Sequence, residues 1–147
     1  MRMNATLQKF GYPQNLVKEH DHWCILLRPQ QITLGSLILA AKSESTAFAD
    51  LPRAAFVELA TVIPEIEHSL QRFNPYNKIN YLMLMMVDPH VHLHVIPRDA
   101  GSQVFDDIEF PDKGWPGQAD LKSAPELTDK LRKNLLWTLQ LSLSGES

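Results

Sequence analysis

Residues 90–98 read His-Val-His-Leu-His-Val-Ile-Pro-Arg, and this stretch decides the fold. Three of the six histidines in the chain fall within it, and apolar residues separate them. Successive side chains of a β-strand point to opposite faces, so the alternation predicts a strand with all three imidazoles on one face. The apolar row of Val91, Leu93 and Val95 is expected to pack into a core. The histidine row is expected to face a cleft, a partner or solvent.

The row of imidazoles carries the chemistry of this stretch. An imidazole has an ordinary pKa of about 6.5, so near neutral pH it can attack an electrophile, donate a proton or bind a metal. Like charges disfavour each other, so at least one ring should be neutral, and the central His92 has the most neighbours that favour this state. His92 is therefore a candidate nucleophile, with His90 and His94 as flanking hydrogen-bonding groups.

Two other interpretations of the row remain open. A strand rise of about 3.4 Å per residue separates the outer histidines by about 13 Å, whereas zinc holds nitrogen ligands at about 2.0–2.1 Å. One ion therefore cannot bind all three, but His92 with His90 or His94 could bind zinc if other ligands came from elsewhere. The remaining interpretation is an incidental polar face of a strand.

The motif His-x-His-x-His followed by two apolar residues resembles the signature of the histidine triad (HIT) family. The continuation Pro97-Arg98 resembles the fragile-histidine-triad branch, which is similar to diadenosine polyphosphate hydrolases. The resemblance implies a nucleotidyl hydrolase or transferase that cleaves a phosphoanhydride, a phosphoramidate or a similar bond at a nucleotide phosphate. In such an enzyme the middle histidine forms a covalent nucleotidyl-histidine that water then resolves.

Carried over to this chain, the resemblance makes His92 the nucleophile. His94 and His90 would donate hydrogen bonds to the phosphate oxygens or protonate the leaving group. His90 could equally orient His92 through backbone contacts. No cofactor and no metal are expected, and the partner would be a small nucleotide.

The remaining elements are predicted from hydrophobic periodicity. Apolar runs predict strands at residues 15–18, 23–27, 34–40 and 79–87, in addition to the triad strand. Apolar residues at spacings of three and four up to Phe73 predict a long helix that lies on the sheet, with Asp50 as its cap and a kink or break at Pro64. Five strands, with one long helix between the third and the fourth, resemble the α+β HIT core, in which the sheet is antiparallel.

The C-terminal part of the chain is predicted to end in a second helix. Ser123 and Glu126 form a capping-box pattern, and leucines step by four from Leu127 onwards, which predicts a helix over about residues 123–143. We expect a single HIT-like domain over residues 1–147, with a core at about 12–100 and this helix in a C-terminal extension.

Composition narrows the classes of function. The chain has 147 residues, 44% of them hydrophobic, which is enough for one domain with a core. A formal net charge of −3 argues against a general nucleic-acid binder. The sequence contains no run of about 18 apolar residues, so we expect no membrane partner. Cys24 is the only cysteine, so no intrachain disulfide can form, and we expect a cytoplasmic protein.

Two positions in the first half of the chain depart from the family pattern. Family members commonly carry a ribose-binding Asn or Asp at the end of the second strand, where this chain has Arg28. They also commonly carry Pro-Gly-His where this chain reads Leu34-Gly35-Ser36. Arg28 and Ser36 are candidate substrate-binding residues, because a guanidinium suits phosphate oxygens. The alternative for Arg28 is an arginine in a surface turn.

The second half adds two candidates and one further departure. Asp88-Pro89 replaces a longer glycine-rich loop, and Met86 stands roughly where that loop carries a phosphate-binding Gln. Arg98 is a candidate for the phosphate face, or a partner for a nearby acid. Trp115 lies in a Trp-Pro-Gly sequence that resembles the tail of the phosphoramidase branch, and it could close the pocket or pack a loop.

The sequence therefore predicts an enzyme that acts on nucleotide phosphate derivatives. The resemblance also implies a homodimer with a sheet continued across two subunits. Two alternatives of other classes remain: a non-catalytic nucleotide-binding or regulatory domain, and a zinc-binding protein.

Overall fold

The computed structural model describes residues 4–145 of the chain. Its elements are α1 (Ala5–Lys9), β1 (Leu16–Glu19), β2 (Trp23–Leu27), β3 (Leu37–Ala41), α2 (Arg53–Phe73), β4 (Lys78–Leu82), β5 (His92–Arg98), β6 (Gln103–Phe105), β7 (Ile108–Phe110) and α3 (Asp129–Leu143). Among these described residues, no helix is both long enough and apolar enough to cross a bilayer.

The sheet has five strands in the order β1-β2-β3-β5-β4, and every neighbouring pair is antiparallel. The long helix α2 lies between β3 and β4 in the chain. The predicted α+β class, the antiparallel sheet and the position of the long helix are thus confirmed. Strands β6 and β7 form a separate hairpin that was not predicted.

One face of the sheet forms the main core. Val91 and Val95 are fully buried there, and Leu93 packs against the same cluster, so the apolar row of the triad stretch points into hydrocarbon as predicted. Val62, Ile66 and Leu70 of α2 cover this face, and α3 adds three buried leucines: Leu135, Leu139 and Leu143. Burying one such side chain contributes about 1.5–3 kcal/mol, so this face supplies most of the hydrophobic stabilisation.

The opposite face carries a smaller cluster under the short helix α1. Leu7 of α1 is fully buried against β2 and β3. Asn4 holds the helix in place: its Oδ1 accepts from the Leu7 backbone N–H at 2.8 Å, and its Nδ2 donates to the carbonyl of Ala41 at 3.1 Å. The histidine row lies on this face, so α1 packs over it.

Helix α2 differs in two ways from the prediction. It begins at Arg53 after Pro52, and Asp50 ends a short 3₁₀ turn, so Asp50 is not its cap. Pro64 does not split it: the helix runs unbroken to Phe73. Proline removes one backbone hydrogen bond, but Pro64 is exposed, and burial of Val62 and Ile66 on the other side maintains the helix.

The predicted strand over residues 79–87 is too long. Strand β4 ends at Leu82, the chain takes a left-handed conformation at Met85 with φ 47°, and Met86 and Val87 are each 84% exposed. Leu82 is the last residue of β4 to pair with β5, opposite His94. Beyond it the chain has to reverse direction to enter the triad strand, so the connection is longer than Asp88-Pro89 alone.

The last helix begins later than predicted. Thr128 is its cap, with Oγ1 accepting from the Leu131 backbone N–H at 3.1 Å, so α3 starts at Asp129. The capping box predicted from Ser123 and Glu126 is wrong, because those residues lie in irregular chain before the helix. Thr128 followed by Asp129 is a competing start signal of the same kind.

Candidate functional site

The second and third histidines of the row, His92 and His94, lie at the start of β5, between β3 and β4. In the register of the sheet, His92 pairs with Ala40, and His94 pairs with Ile38 on one side and Leu82 on the other. His92 is 2% exposed and His94 is 7% exposed, and their ring centroids are 5.3 Å apart. His90 precedes the strand by two residues.

The backbone of His90 sets the tautomer of His92. His92 Nδ1 lies 2.7 Å from the His90 carbonyl oxygen. A carbonyl oxygen only accepts, so Nδ1 donates and carries the ring proton. The Nε2 atom of a neutral His92 therefore keeps its lone pair, which is the state that a nucleophile needs.

Arg28 sets the opposite tautomer at His94. Arg28 Nε donates to His94 Nδ1 at 3.2 Å. A guanidinium only donates, so His94 Nδ1 holds the lone pair and Nε2 carries the proton. Burial lowers the pKa of His94 to about 4, and the positive charge of Arg28 acts in the same direction. At neutral pH, His94 is thus an uncharged ring that can donate one hydrogen bond.

We expect His94 to make the protein less stable in mild acid. Between pH 6.5 and about 4 the unfolded His94 binds a proton that the folded His94 does not, so stability falls as the pH falls through this window. The loss should be about 2 kcal/mol by pH 4.5. Urea unfolding at pH 7 and pH 4.5 measures it. His94→Gln, which has no titrating ring, should lose less, and an equal loss in both proteins would contradict this assignment.

The N-terminal segment covers the histidine row. Thr6 Oγ1 and His90 Nδ1 are hydrogen bonded at 2.9 Å, and the Phe10 ring centroid lies 5.5 Å from that of His92 and 6.0 Å from that of His94. Lys9 Nζ contacts Asp88 Oδ1 at 2.6 Å, just before the triad. The row therefore faces a packed segment of the same chain, whereas the sequence predicted a cleft, a partner or solvent.

A pocket opens beside the covered row. It has a volume of about 340 Å³ and is lined by Lys9, Phe10, Arg28, Pro29 and Gln30. This volume is in the range of small-molecule sites. Arg28 and Phe10 contact His94 and also line the pocket, so they connect it to the histidines.

Ser36 lies in the loop behind this pocket and does not line it. It is fully buried, and its Oγ donates to the Thr33 carbonyl at 2.7 Å. Its carbonyl accepts from the Arg28 backbone N–H at 3.0 Å and from Gln31 Nε2 at 2.7 Å. Ser36 and Gln31 thus fix the backbone that carries Arg28.

Arg98 is bound to an acid and not directed to the pocket. Its Nε and Nη2 donate to the Asp112 carboxylate at 2.7 and 3.1 Å, and Nη1 donates to Asn80 Oδ1 at 2.8 Å. Nη2 also donates to the Gly117 carbonyl at 2.9 Å. Trp115 is half-buried in the turn that Arg98 anchors and is absent from the pocket lining.

Sequence reasoning missed the residues of the N-terminal segment that complete the site, Thr6, Lys9 and Phe10. A helix of five residues is too short to show a periodic pattern. The one local signal is Asn4, a residue type that favours the N-cap position.

A metal centre receives no support from the geometry. Within residues 4–145, no group of three or more His, Cys, Asp or Glu side chains is arranged to hold a metal ion. Cys24 is buried, and burial raises the pKa of its thiol to about 12, so it is an uncharged core residue.

Comparison with known proteins identifies the fold. No family model and no curated protein matches this chain. A histidine triad protein from Marinobacter aquaeolei VT8 is 20% identical, with a TM-score of 0.75 over 99% of this chain and 98% of that chain. A histidine triad protein from Sinorhizobium meliloti 1021 is 17% identical, with a TM-score of 0.74 over 96% of each chain. A zinc-bound histidine triad family protein from Mycobacterium smegmatis is 18% identical, with a TM-score of 0.62 over 88% of this chain and 84% of that chain. This chain therefore has the histidine triad fold.

Proposed function

We propose that this chain is a nucleotidyl hydrolase or transferase of the histidine triad type, in which His92 forms a covalent nucleotidyl intermediate. One observation carries the proposal: the hydrogen bond from His92 Nδ1 to the His90 carbonyl places the ring proton on Nδ1, so Nε2 is the nitrogen whose lone pair attacks. The histidine triad fold supports the substrate class, a nucleotide with a leaving group on its phosphorus.

The reaction proceeds in two displacements. In the first, the lone pair of His92 Nε2 forms a bond to phosphorus, and the bond to the leaving group breaks with its electron pair. His92 becomes a cation with a proton on Nδ1, and the His90 carbonyl at 2.7 Å stabilises that charge. In the second, water attacks phosphorus and loses a proton to the solvent, the P–N bond breaks with its electron pair returning to Nε2, and His92 is again neutral.

His94 supplies a hydrogen bond and no charge. Its Nε2–H donates to an oxygen on phosphorus, where negative charge develops in the transition state. Because its pKa is about 4, it is not a proton donor of the imidazolium kind at neutral pH. His90 acts through its carbonyl, while its ring is bound to Thr6.

Substrate reaches His92 from the Arg28 side. His92 is 2% exposed, so the Phe10 ring has to move for phosphorus to approach Nε2. Phe10 is half-buried and follows α1, so its ring can rotate while the helix stays packed on the sheet. The pocket beside Phe10 then joins the histidine row.

A substrate screen tests the proposal against a non-catalytic domain. We expect the purified chain to release a nucleoside monophosphate from at least one of three classes: nucleotide phosphoramidates, dinucleoside polyphosphates or nucleotide sugars. Products are separated by chromatography, and binding is measured by calorimetry under the same conditions. Nucleotide binding without turnover of any class would contradict the proposed enzyme and favour a regulatory domain.

The branch of the histidine triad family and the homodimer are also part of the proposal. The assignment to the diadenosine polyphosphate hydrolase-like branch rested on Pro97-Arg98, and Arg98 now has Asp112 as its partner. The branch and the homodimer stay predictions. Strand β4 forms one edge of the sheet, where a second copy could add its own strand.

A further inference from the structure

Arg28 is a buried cation without a counter-ion. It is 8% exposed, and among residues 4–145 no carboxylate oxygen lies within 4.0 Å of its guanidinium. Arg98, which is 4% exposed, has the Asp112 carboxylate at 2.7 Å. Charged side chains are rarely buried unless they are paired, because leaving water is costly for an isolated charge. Burial accordingly lowers the pKa of Arg28, and a bound anion would supply the negative charge that the described residues do not.

The free donors of Arg28 reach the pocket. A guanidinium has five N–H groups; Nε uses one on His94 Nδ1, and Nη1 uses one on the Gln30 carbonyl at 2.7 Å. Nη2 makes no hydrogen bond to any described residue. Within the described part of the chain no fully buried side-chain nitrogen lacks a partner, so Nη2 must reach the surface. The pocket that Arg28 lines is the surface next to it.

The rest of the pocket lining suits an anion. Lys9 is a second cation, already held by Asp88, and none of the lining residues is Asp or Glu. Phe10 supplies an aromatic ring. The pocket thus combines unused guanidinium donors with an apolar wall, and it has no negative charge of its own.

His94 fixes where the anion would lie relative to the nucleophile. Its Nδ1 is 3.2 Å from Arg28 Nε, and its ring centroid is 5.3 Å from that of His92. A group held by Arg28 is therefore next to a phosphorus held at His92.

We propose that Arg28 determines substrate specificity by binding a second phosphate attached to the reacting one, so that the substrates are phosphoanhydrides and not phosphoramidates. The inference rests on the proposed function and deepens it. In an anhydride the leaving group is itself a phosphate, whose oxygens accept from the unused N–H groups of Arg28 and supply the missing negative charge. The amine leaving group of a phosphoramidate has no phosphate oxygens to accept from Arg28 and brings no negative charge. Charge-assisted hydrogen bonds of this kind favour the anhydride by about 10- to 100-fold.

The test compares two substrates that share adenosine and differ in the leaving group. These are diadenosine triphosphate and adenosine 5′-phosphoramidate, and the quantity is the ratio of their kcat/KM values. We expect a ratio well above one in the native chain, about 10- to 100-fold lower in Arg28→Gln and intermediate in Arg28→Lys. Lys133→Gln removes an equal charge from an exposed position on α3 and should leave the ratio unchanged.

Two kinetic results would overturn the inference while the proposed function stands. One is a native chain that prefers the phosphoramidate. The other is an Arg28→Gln variant that loses both activities equally, since Arg28 would then only position His94.

If neither substrate is turned over, that result counts against the proposed function. A binding measurement then tests the anion site by itself. Inorganic pyrophosphate should bind the native chain in calorimetry and bind Arg28→Gln at least 10-fold more weakly. Equal affinity for both proteins would overturn the anion site.

Discussion

His92→Asn should lower kcat by at least about four orders of magnitude for any nucleotide substrate that the native chain turns over. The asparagine amide can still donate to the His90 carbonyl, which His92 Nδ1 contacts at 2.7 Å, so the local structure should be retained. What is lost is the Nε2 lone pair, and with it the covalent route. Steady-state kinetics measure the effect, and urea unfolding checks that the fold remains stable.

His68→Asn is the matched control for this variant. His68 is exposed on α2, on the far side of the sheet from the triad row, and the same substitution there should leave kcat unchanged. A His92→Asn protein that is folded and keeps a tenth or more of native activity would show that the ring is not the nucleophile.

Arg98→Met should produce the largest loss of stability, about 3–5 kcal/mol in the free energy of unfolding. The side chains of Arg98 and Asp112 are 5% and 4% exposed, so the substitution leaves a buried carboxylate without its partner. It also removes the donors to Asn80 and Gly117. Urea unfolding measures the loss. The double variant with Arg98→Met and Asp112→Asn should lose less free energy of unfolding than the sum of the two single variants. The reason is that Asp112→Asn removes the unpaired buried charge.

An exposed ion pair provides the comparison. Lys9 pairs with Asp88 at 2.6 Å, but the Lys9 side chain is 53% exposed, so Lys9→Met should cost less than about 1 kcal/mol. If Arg98→Met cost no more than Lys9→Met, the Arg98–Asp112 pair would not be what holds the 112–117 turn on β5.

The sheet and its long helix were predictable because their signals are local and periodic. The alternation through the triad stretch predicts that His92 and Val91 lie on opposite faces, and the packing of Val91 and Val95 in the main core confirms it. The long helix was recognisable from its spacing, while its continuity through Pro64 depends on packing against the sheet, which no local pattern records.

The site was less predictable because its contacts join distant parts of the chain. Thr6 meets His90 across 84 residues, and Arg28 meets His94 across 66. A tautomer depends on such partners, so the sequence could name His92 but not show which nitrogen is free. Arg98 illustrates the same limit: its residue type suits phosphate, but Asp112 already binds it.

The central claim is that the free Nε2 of His92 attacks phosphorus and holds the nucleotide. The most direct measurement is the intact mass of the chain after rapid acid-free quenching with a turned-over adenine nucleotide, followed by peptide mapping. We predict one added adenylyl group, located on His92 and absent from His92→Asn. Turnover with no adduct on the native chain at any quench time, or an adduct on another residue, would contradict it.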